Sequence, residues 1–150
     1  MRAVIQRSIE SDVTVEGRVT GSISAGLVVL LGVEEGDTKS DASYMADKIC
    51  GLRIFNDGDG KMNLCIKDFP SYKILAISQF TLLGDVRHGR RPSFITAAKP
   101  DSAKALCQSF VEKVKEQGIE VEEGEFQADM CVRITNDGPV TILIDSKKAF

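Results

Sequence analysis
The sequence predicts a layered α/β or α+β domain in which two helices lie on one side of a mostly stranded fold. Three observations lead there. Apolar residues recur at helical spacing in two places, along Ala42, Met45, Ile49 and Leu52 and along Leu106, Cys107, Phe110, Val111 and Val114. Strand-like alternation and short apolar runs fill much of the remainder. The order is four strands, a helix, a strand, a helix and three strands, in 150 residues without a repeat, a low-complexity segment or a linker. That length suits one domain with a core of its own.

Residues 2–8 read as the first strand. Residues 12–16 and 18–23 form a hairpin, with Val13 and Val15 alternating and Glu16-Gly17 at its turn. Residues 26–33 are nearly all apolar, the mark of a strand covered on both faces. Glu34-Glu35-Gly36-Asp37 breaks that run. Thr38 opens the first helix, with Asp41 three residues on, a capping-box spacing with Asp in place of Glu. Arg53-Ile54-Phe55 is extended again, and Asn56-Asp57-Gly58-Asp59-Gly60 is a turn. That turn superficially resembles a calcium loop, but the position of the bidentate glutamate is Ile66. Residues 73–83 hold the central strand, and 84–92 form a basic loop containing glycine. Asp101 or Ser102 caps the second helix, which reaches about residue 117 and ends at Gly118. Strands at 119–124, 130–135 and 140–145 complete the chain before a short tail with Lys147 and Lys148.

Composition narrows the function. A hydrophobic content of 43% and a charged content of 27% are those of an ordinary globular protein. The formal net charge of -3 speaks against a bulk nucleic-acid binder, so an RNA partner needs a local basic patch. Cys50, Cys65, Cys107 and Cys131 form no C-x-x-C pair and have no histidine nearby to complete a zinc site. Buried free thiols in a reducing compartment are the expectation. The first residues, Met1 to Arg7, lack the apolar core of a signal peptide, and no apolar run nears the ~18 residues of a membrane span. The chain reads as cytoplasmic, with no membrane partner.

The common catalytic signatures are missing. There is no G-x-S-x-G elbow, no H-E-x-x-H, no P-loop and no G-x-G-x-x-G after a strand. The one histidine, His88, sits among arginines; it is a candidate general base or a surface group facing RNA. Paired acids such as Glu122-Glu123 read as solvated faces. Two stretches remain. Ser78-Gln79-Phe80-Thr81-Leu82 follows the apolar run Ile74-Leu75-Ala76-Ile77, and small hydroxyl and amide groups at the end of a buried strand suit either a pocket wall or local backbone capping. In Asn136-Asp137-Gly138-Pro139-Val140-Thr141 the glycine allows close backbone approach and the proline removes a donor, at a hairpin corner or against a ligand.

Together these two stretches resemble the D-aminoacyl-tRNA deacylase family in its bacterial form. Met1 to Arg7, Leu52-Arg53-Ile54-Phe55 with Gly60-Lys61-Met62-Asn63, and Gly89-Arg90-Arg91-Pro92-Ser93-Phe94 agree in order and over essentially the whole chain. The resemblance implies a homodimer with a three-layer β/β/α fold, no cofactor and no metal. It implies hydrolysis of the ester of D-aminoacyl-tRNA, and of glycine mischarged on tRNA, with rejection of L-aminoacyl-tRNA. It places Ser78, Gln79, Phe80 and Thr81 on one pocket wall. Gly138 and Pro139, joined by a cis peptide bond, are supplied by the other subunit. Met130 is a further pocket residue, and Arg7 holds the Gly-Pro segment.

Chemistry agrees with such a reaction. An aminoacyl ester is already activated, so the main demand is for donors where charge develops on the carbonyl oxygen. Backbone N–H groups around Phe80 and Thr81 can serve, with the terminal ribose 2′-OH assisting proton movement. Thr81 as nucleophile is the alternative, although no activating base is visible in the motif. A rigid backbone wall that clashes with an L side chain would accept glycine and ignore outward-pointing D side chains. Arg87, Arg90, Arg91, Lys99, Lys147 and Lys148 are candidates for tRNA phosphate contacts. The competing reading is a non-catalytic RNA-binding module on the same fold. Another is an editor of a different mischarged amino acid.

Overall fold
The computed structural model describes residues 1–150. Strand β1 (Arg2–Val15) and strand β2 (Arg18–Gly32) form one long antiparallel hairpin, closed at Glu16-Gly17. Helix α1 (Lys39–Cys50) follows, then a small hairpin of β3 (Phe55–Asn56) and β4 (Met62–Leu64). Strand β5 (Lys73–Ser78), helix α2 (Pro100–Glu116), strand β6 (Glu120–Glu123) and strand β7 (Cys131–Asp145) complete the fold. The main sheet has five strands in the order β6-β5-β2-β1-β7. β2, β5 and β6 run parallel to one another, while β1 pairs antiparallel with β2 and β7.

The central strands are buried on both faces, and alternation decides which core each residue joins. Leu27, Val29, Leu31 and Ile74 point to the larger core, with Met45, Ile49, Phe110 and Val114 of the two helices. Val28, Leu75 and Ile77 point the other way, to a second core closed by Val13, Ile23, Met130 and Val132. Both helices therefore cover the same face of the sheet, as their spacing predicts.

Four expected strands are two. The chain from Arg2 to Val15 bends without breaking, because Glu10 adopts φ 43° and an extra residue enters the ladder between Ile9↔Thr135 and Asp12↔Arg133. Ser8 and Ser11 hydrogen-bond to each other across this bulge. The extra residue turns the odd-numbered side chains from the helix-side core, at Ala3 and Ile5, to the second core, at Val13. The last two expected strands are likewise one, β7, with a local kink at Gly138-Pro139.

Two termini differ from expectation. Helix α2 begins at Pro100 with Lys99 at the cap, two residues ahead of Asp101. Proline brings a preset φ and no N–H to satisfy, so it fits the first helical position. The central strand stops at Ser78, and residues 80–83 coil into a 3-10 turn. The capping reading at α1 holds: the Asp41 carboxylate accepts the Thr38 backbone N–H at 2.8 Å and its hydroxyl at 2.9 Å. The calcium-like turn is closed by protein donors, since Asp57 accepts the amides of Asp59 and Lys61 and the Asn63 side chain. The Asn63 hydrogen bond leads in holding the Asp57 carboxyl below its ordinary range.

All four cysteines are free, but burial separates them: Cys50 is buried, Cys65 and Cys107 are partly covered, and Cys131 is exposed, against the expectation of buried thiols throughout. Loss of solvation pushes the Cys50 thiol up to about 12 and Cys107 up to about 11. Only the thiolate reacts with alkylating agents. Iodoacetamide at pH 8 should therefore modify Cys131 in the folded protein and Cys50 only after unfolding, as read by peptide mass spectrometry. Labelling of native Cys50 at the rate of Cys131 would contradict this burial.

Candidate active site
The site begins where the parallel ladder ends. Ser78 pairs with Leu31, the Gln79 N–H donates to the Leu31 carbonyl at 2.8 Å, and β2 then stops at Gly32. Without a further partner the chain coils over Gly32. A Cβ at residue 32 would lie 2.6 Å from Leu83 Cδ2, 2.9 Å from the Gln79 carbonyl oxygen and 3.2 Å from Leu82 Cβ. The turn thus rests on backbone, and only glycine admits that approach. Arg2, paired with Asp145 at 3.0 Å, also reaches the Leu82 carbonyl at 3.4 Å.

A cavity of about 530 Å³ opens beside this turn. Ser78, Gln79 and Phe80 line one side and Met130 another, so four of the residues expected at the site lie together. Ala97, Ala98, Ala103, Cys107 and Phe126 also line it, and sequence reasoning did not single them out. A second cavity of about 390 Å³ lies between α2 and the ends of β5 and β6, and shares Ser78, Cys107 and Phe126 with the first.

Thr81 is exposed and does not line the larger cavity. Its hydroxyl receives a hydrogen bond from the Gln79 side-chain amide. That amide nitrogen is no base, and no histidine or carboxylate contacts the hydroxyl. The first N–H groups of a helical turn have no partner inside it, and in residues 80–83 these belong to Phe80 and Thr81. The local chemistry is that of an uncharged donor site beside an apolar wall.

Gly138 and Pro139 lie elsewhere in the chain. They are exposed on edge strand β7, separated from β5 by β2 and β1, about 14 Å across the sheet at ordinary strand spacing. Their peptide bond is cis and Gly138 adopts φ 117°. Asn136 braces the kink from beneath, donating to the carbonyls of Arg7 at 3.0 Å and Val140 at 2.9 Å. Arg7 is 8% exposed. Its Nη1 donates to the Ile54 carbonyl at 2.8 Å, and its Nε lies 2.8 Å from Asp137 Oδ2 in an ion-pair contact without hydrogen-bond alignment. A Cβ on Gly138 would lie 2.9 Å from Arg7 Nη2. Arg7 and the Gly-Pro segment are thus in contact, and one chain does not bring them to the cavity.

The candidate cations divide. Arg87 is engaged by Asp85, at 2.9 Å and 2.6 Å, and this pairing holds the Asp85 carboxyl far below its usual range. Lys147 lies 3.2 Å from Glu34 and 3.3 Å from Asp37. Arg90, Arg91 and Lys99 are exposed and have no ion-pair partner. His88 is exposed in the same loop and does not line the cavity. No group of histidines, cysteines and carboxylates is placed to hold a metal ion.

Residues 4–145 match the family described as D-Tyr-tRNA(Tyr) deacylase. The chain is 56% identical to the D-aminoacyl-tRNA deacylase of Desulfitobacterium hafniense and 55% identical to that of Thermotoga petrophila, in each case over 150 residues covering 100% of both chains. Among solved structures it resembles the c-Myc DNA Unwinding Element Binding Protein, with TM-score 0.89 and 38% identity over 97% of this chain and 98% of the other. A probable eukaryotic D-amino acid tRNA deacylase shares the fold, with TM-score 0.79 and 17% identity over 95% and 97% of the two chains.

Overpacking beneath the turn should be measurable. Gly32→Ala is expected to lower the unfolding free energy by about 2 kcal/mol in urea titration, and to speed amide exchange at Leu82 and Gly84, whose N–H groups close the turn on Gln79 and Thr81. Unchanged stability and exchange would show that the turn does not rest on Gly32.

Proposed function
The chain belongs to the D-Tyr-tRNA(Tyr) deacylase family and is a hydrolase of D-aminoacyl-tRNA in translational proofreading, and on that premise we propose how its two motifs divide the work. The turn at Ser78–Thr81 holds the ester, and Gly138-Pro139 of a second copy completes the pocket. The carrying observation is their separation: the first motif lines a cavity, while the second stands exposed and braced on the far edge of the sheet. The two cores, on opposite faces of the sheet, support a three-layer β/β/α reading of the fold.

In this reading the N–H groups of Phe80 and Thr81 stabilise the oxygen of the tetrahedral intermediate, and water attacks with help from the ribose 2′-OH. The state of the Thr81 hydroxyl supports this over nucleophilic attack, because its partner, the Gln79 amide, is a hydrogen-bond donor and no base is at hand. Arg7 holds the partner-facing segment through Asp137 and lies close beside Gly138. The wall so formed rejects L residues by steric clash, admits glycine, and needs neither metal nor cofactor. The unpaired cations Arg90, Arg91 and Lys99 contact tRNA phosphates. No helix is long and apolar enough to cross a membrane; the reaction is assigned to the cytoplasm, where charged tRNA is used.

Three measurements test this division. Purified protein in catalytic amounts should release D-tyrosine from D-Tyr-tRNA and glycine from mischarged tRNA, and leave L-Tyr-tRNA intact. Equal release of both tyrosine enantiomers would overturn the chiral wall. Thr81→Ala should keep turnover within about tenfold of the parent, since a lost nucleophile costs several orders of magnitude; a loss of that larger size would instead make Thr81 the nucleophile. Gly138→Ala places a Cβ 2.8 Å from Val140 Cγ2 at a φ of 117°, which strains the segment by about 1–3 kcal/mol. It should lower D-specific activity at least tenfold while the monomer fold persists by circular dichroism. Full activity in that variant would remove the segment from the pocket.

A further inference from the structure
Aromatic residues are few in this chain, and most are committed to packing. Phe69 and Tyr72 stack, Phe55 packs tilted against both, and Phe110 is fully buried. Phe80 and Phe94 differ. They are 58% and 36% exposed, their ring centroids lie 5.0 Å apart, and their planes meet at 68°. In an edge-to-face pair neither ring covers both faces of the other. Phe80 also lines the larger cavity, so the ring pair continues the cavity wall onto the surface.

The surrounding segment is charged against the trend of the molecule. Residues 84–99 hold four cations, Arg87, Arg90, Arg91 and Lys99, against one acid, Asp85, a net +3 in a chain of net -3. Asp85 is occupied by Arg87, which leaves the other three cations unpaired. Exposed aromatic faces flanked by free cations are the means by which proteins hold single-stranded nucleic acid without reading its sequence. The rings offer stacking that any base satisfies, and the cations follow the backbone phosphates.

We propose that Phe80 and Phe94, with Arg90, Arg91 and Lys99, form a stacking platform for the unpaired nucleotides that precede the terminal adenosine of the aminoacyl-tRNA. This rests on the reading of the cavity at Ser78–Phe80 as the ester site. A strand whose last nucleoside enters that cavity passes its preceding bases over the ring pair. The platform recognises a single-stranded 3′ end as such, and makes duplex RNA with a blunt end a poor ligand.

The test compares two RNA hairpins, one with a single-stranded 3′ overhang and one blunt, by fluorescence anisotropy at fixed salt. The wild type should bind the overhang at least about fivefold more tightly, the lower end of one stacked base. Phe94→Leu keeps apolar bulk but offers no ring, and should abolish that preference; Phe94→Trp should retain it. Abasic residues in the overhang should abolish it with the protein unaltered, so the outcome does not depend on the folding of a variant. Arg90→Gln with Arg91→Gln should weaken both hairpins alike and flatten the salt dependence. Equal affinity of the wild type for the two hairpins, or for normal and abasic overhangs, overturns the platform. So does dissociation of a dimer by Phe94→Leu in sedimentation, which assigns the ring pair to a subunit contact. A wild type that prefers the overhang through Phe94 but releases no D-tyrosine overturns the ester-site reading and leaves the platform standing.

Discussion

The arrangement depends on where the pairing of β2 with β5 stops. Up to Leu31 and Ser78 the two strands satisfy each other's backbone groups. Beyond Gly32 there is no ladder left, and a buried backbone without partners is costly. The chain resolves this by coiling into a tight turn whose own hydrogen bonds run from Leu82 to Gln79 and from Gly84 to Thr81. Coiling leaves the leading N–H groups without a partner inside the turn and brings Leu83 back into the core, where it is 1% exposed. A donor site beside an apolar cavity therefore arises from the same event that ends the strand. Its position is set by rigid backbone below and a buried leucine behind.

One wall of the cavity was legible because its residues break their surroundings: Ser78 and Gln79 interrupt an apolar strand. Gly138-Pro139 interrupts a β-branched strand in the same way and marks the kink in β7. The cavity's far wall carried no such signal. Ala97, Ala98 and Ala103 look the same in sequence whether they pack a core or face a void, and only the approach of α2 decides between the two. Gly32 read as one more member of an apolar run, since its role lies in contact with residues about fifty positions away. The turn at 80–83 was hidden too. Phe80 and Leu82 continue the alternation of a strand, and only the loss of the neighbouring ladder makes that chain coil. Fold class and helices were legible through period, whereas the long strands were not, because a bulge at Glu10 resets the period without ending the element.

Charges illustrate the same division. Six cations were visible as candidates, yet sequence could not show that Asp85 lies against Arg87 or that Glu34 and Asp37 gather Lys147. Pairing removes those two from the free positive surface and leaves Arg90, Arg91 and Lys99 together in one segment, with Lys148 apart in the C-terminal tail. An acidic chain can thereby address a polyanion at one place while repelling it over most of its surface, which favours a single orientation of approach.

The kink in β7 has a consequence beyond the pocket. β7 is the outermost strand on its side of the main sheet and runs for 15 residues, long enough to serve as a template for another chain. At its middle stands Pro139, which has no N–H to lend, beside a glycine turned out of the extended range. A neighbouring strand cannot zip past that point. The segment that we assign to the partner's pocket therefore also caps the growth of the sheet, keeping a long exposed edge from becoming the seed of a fibre.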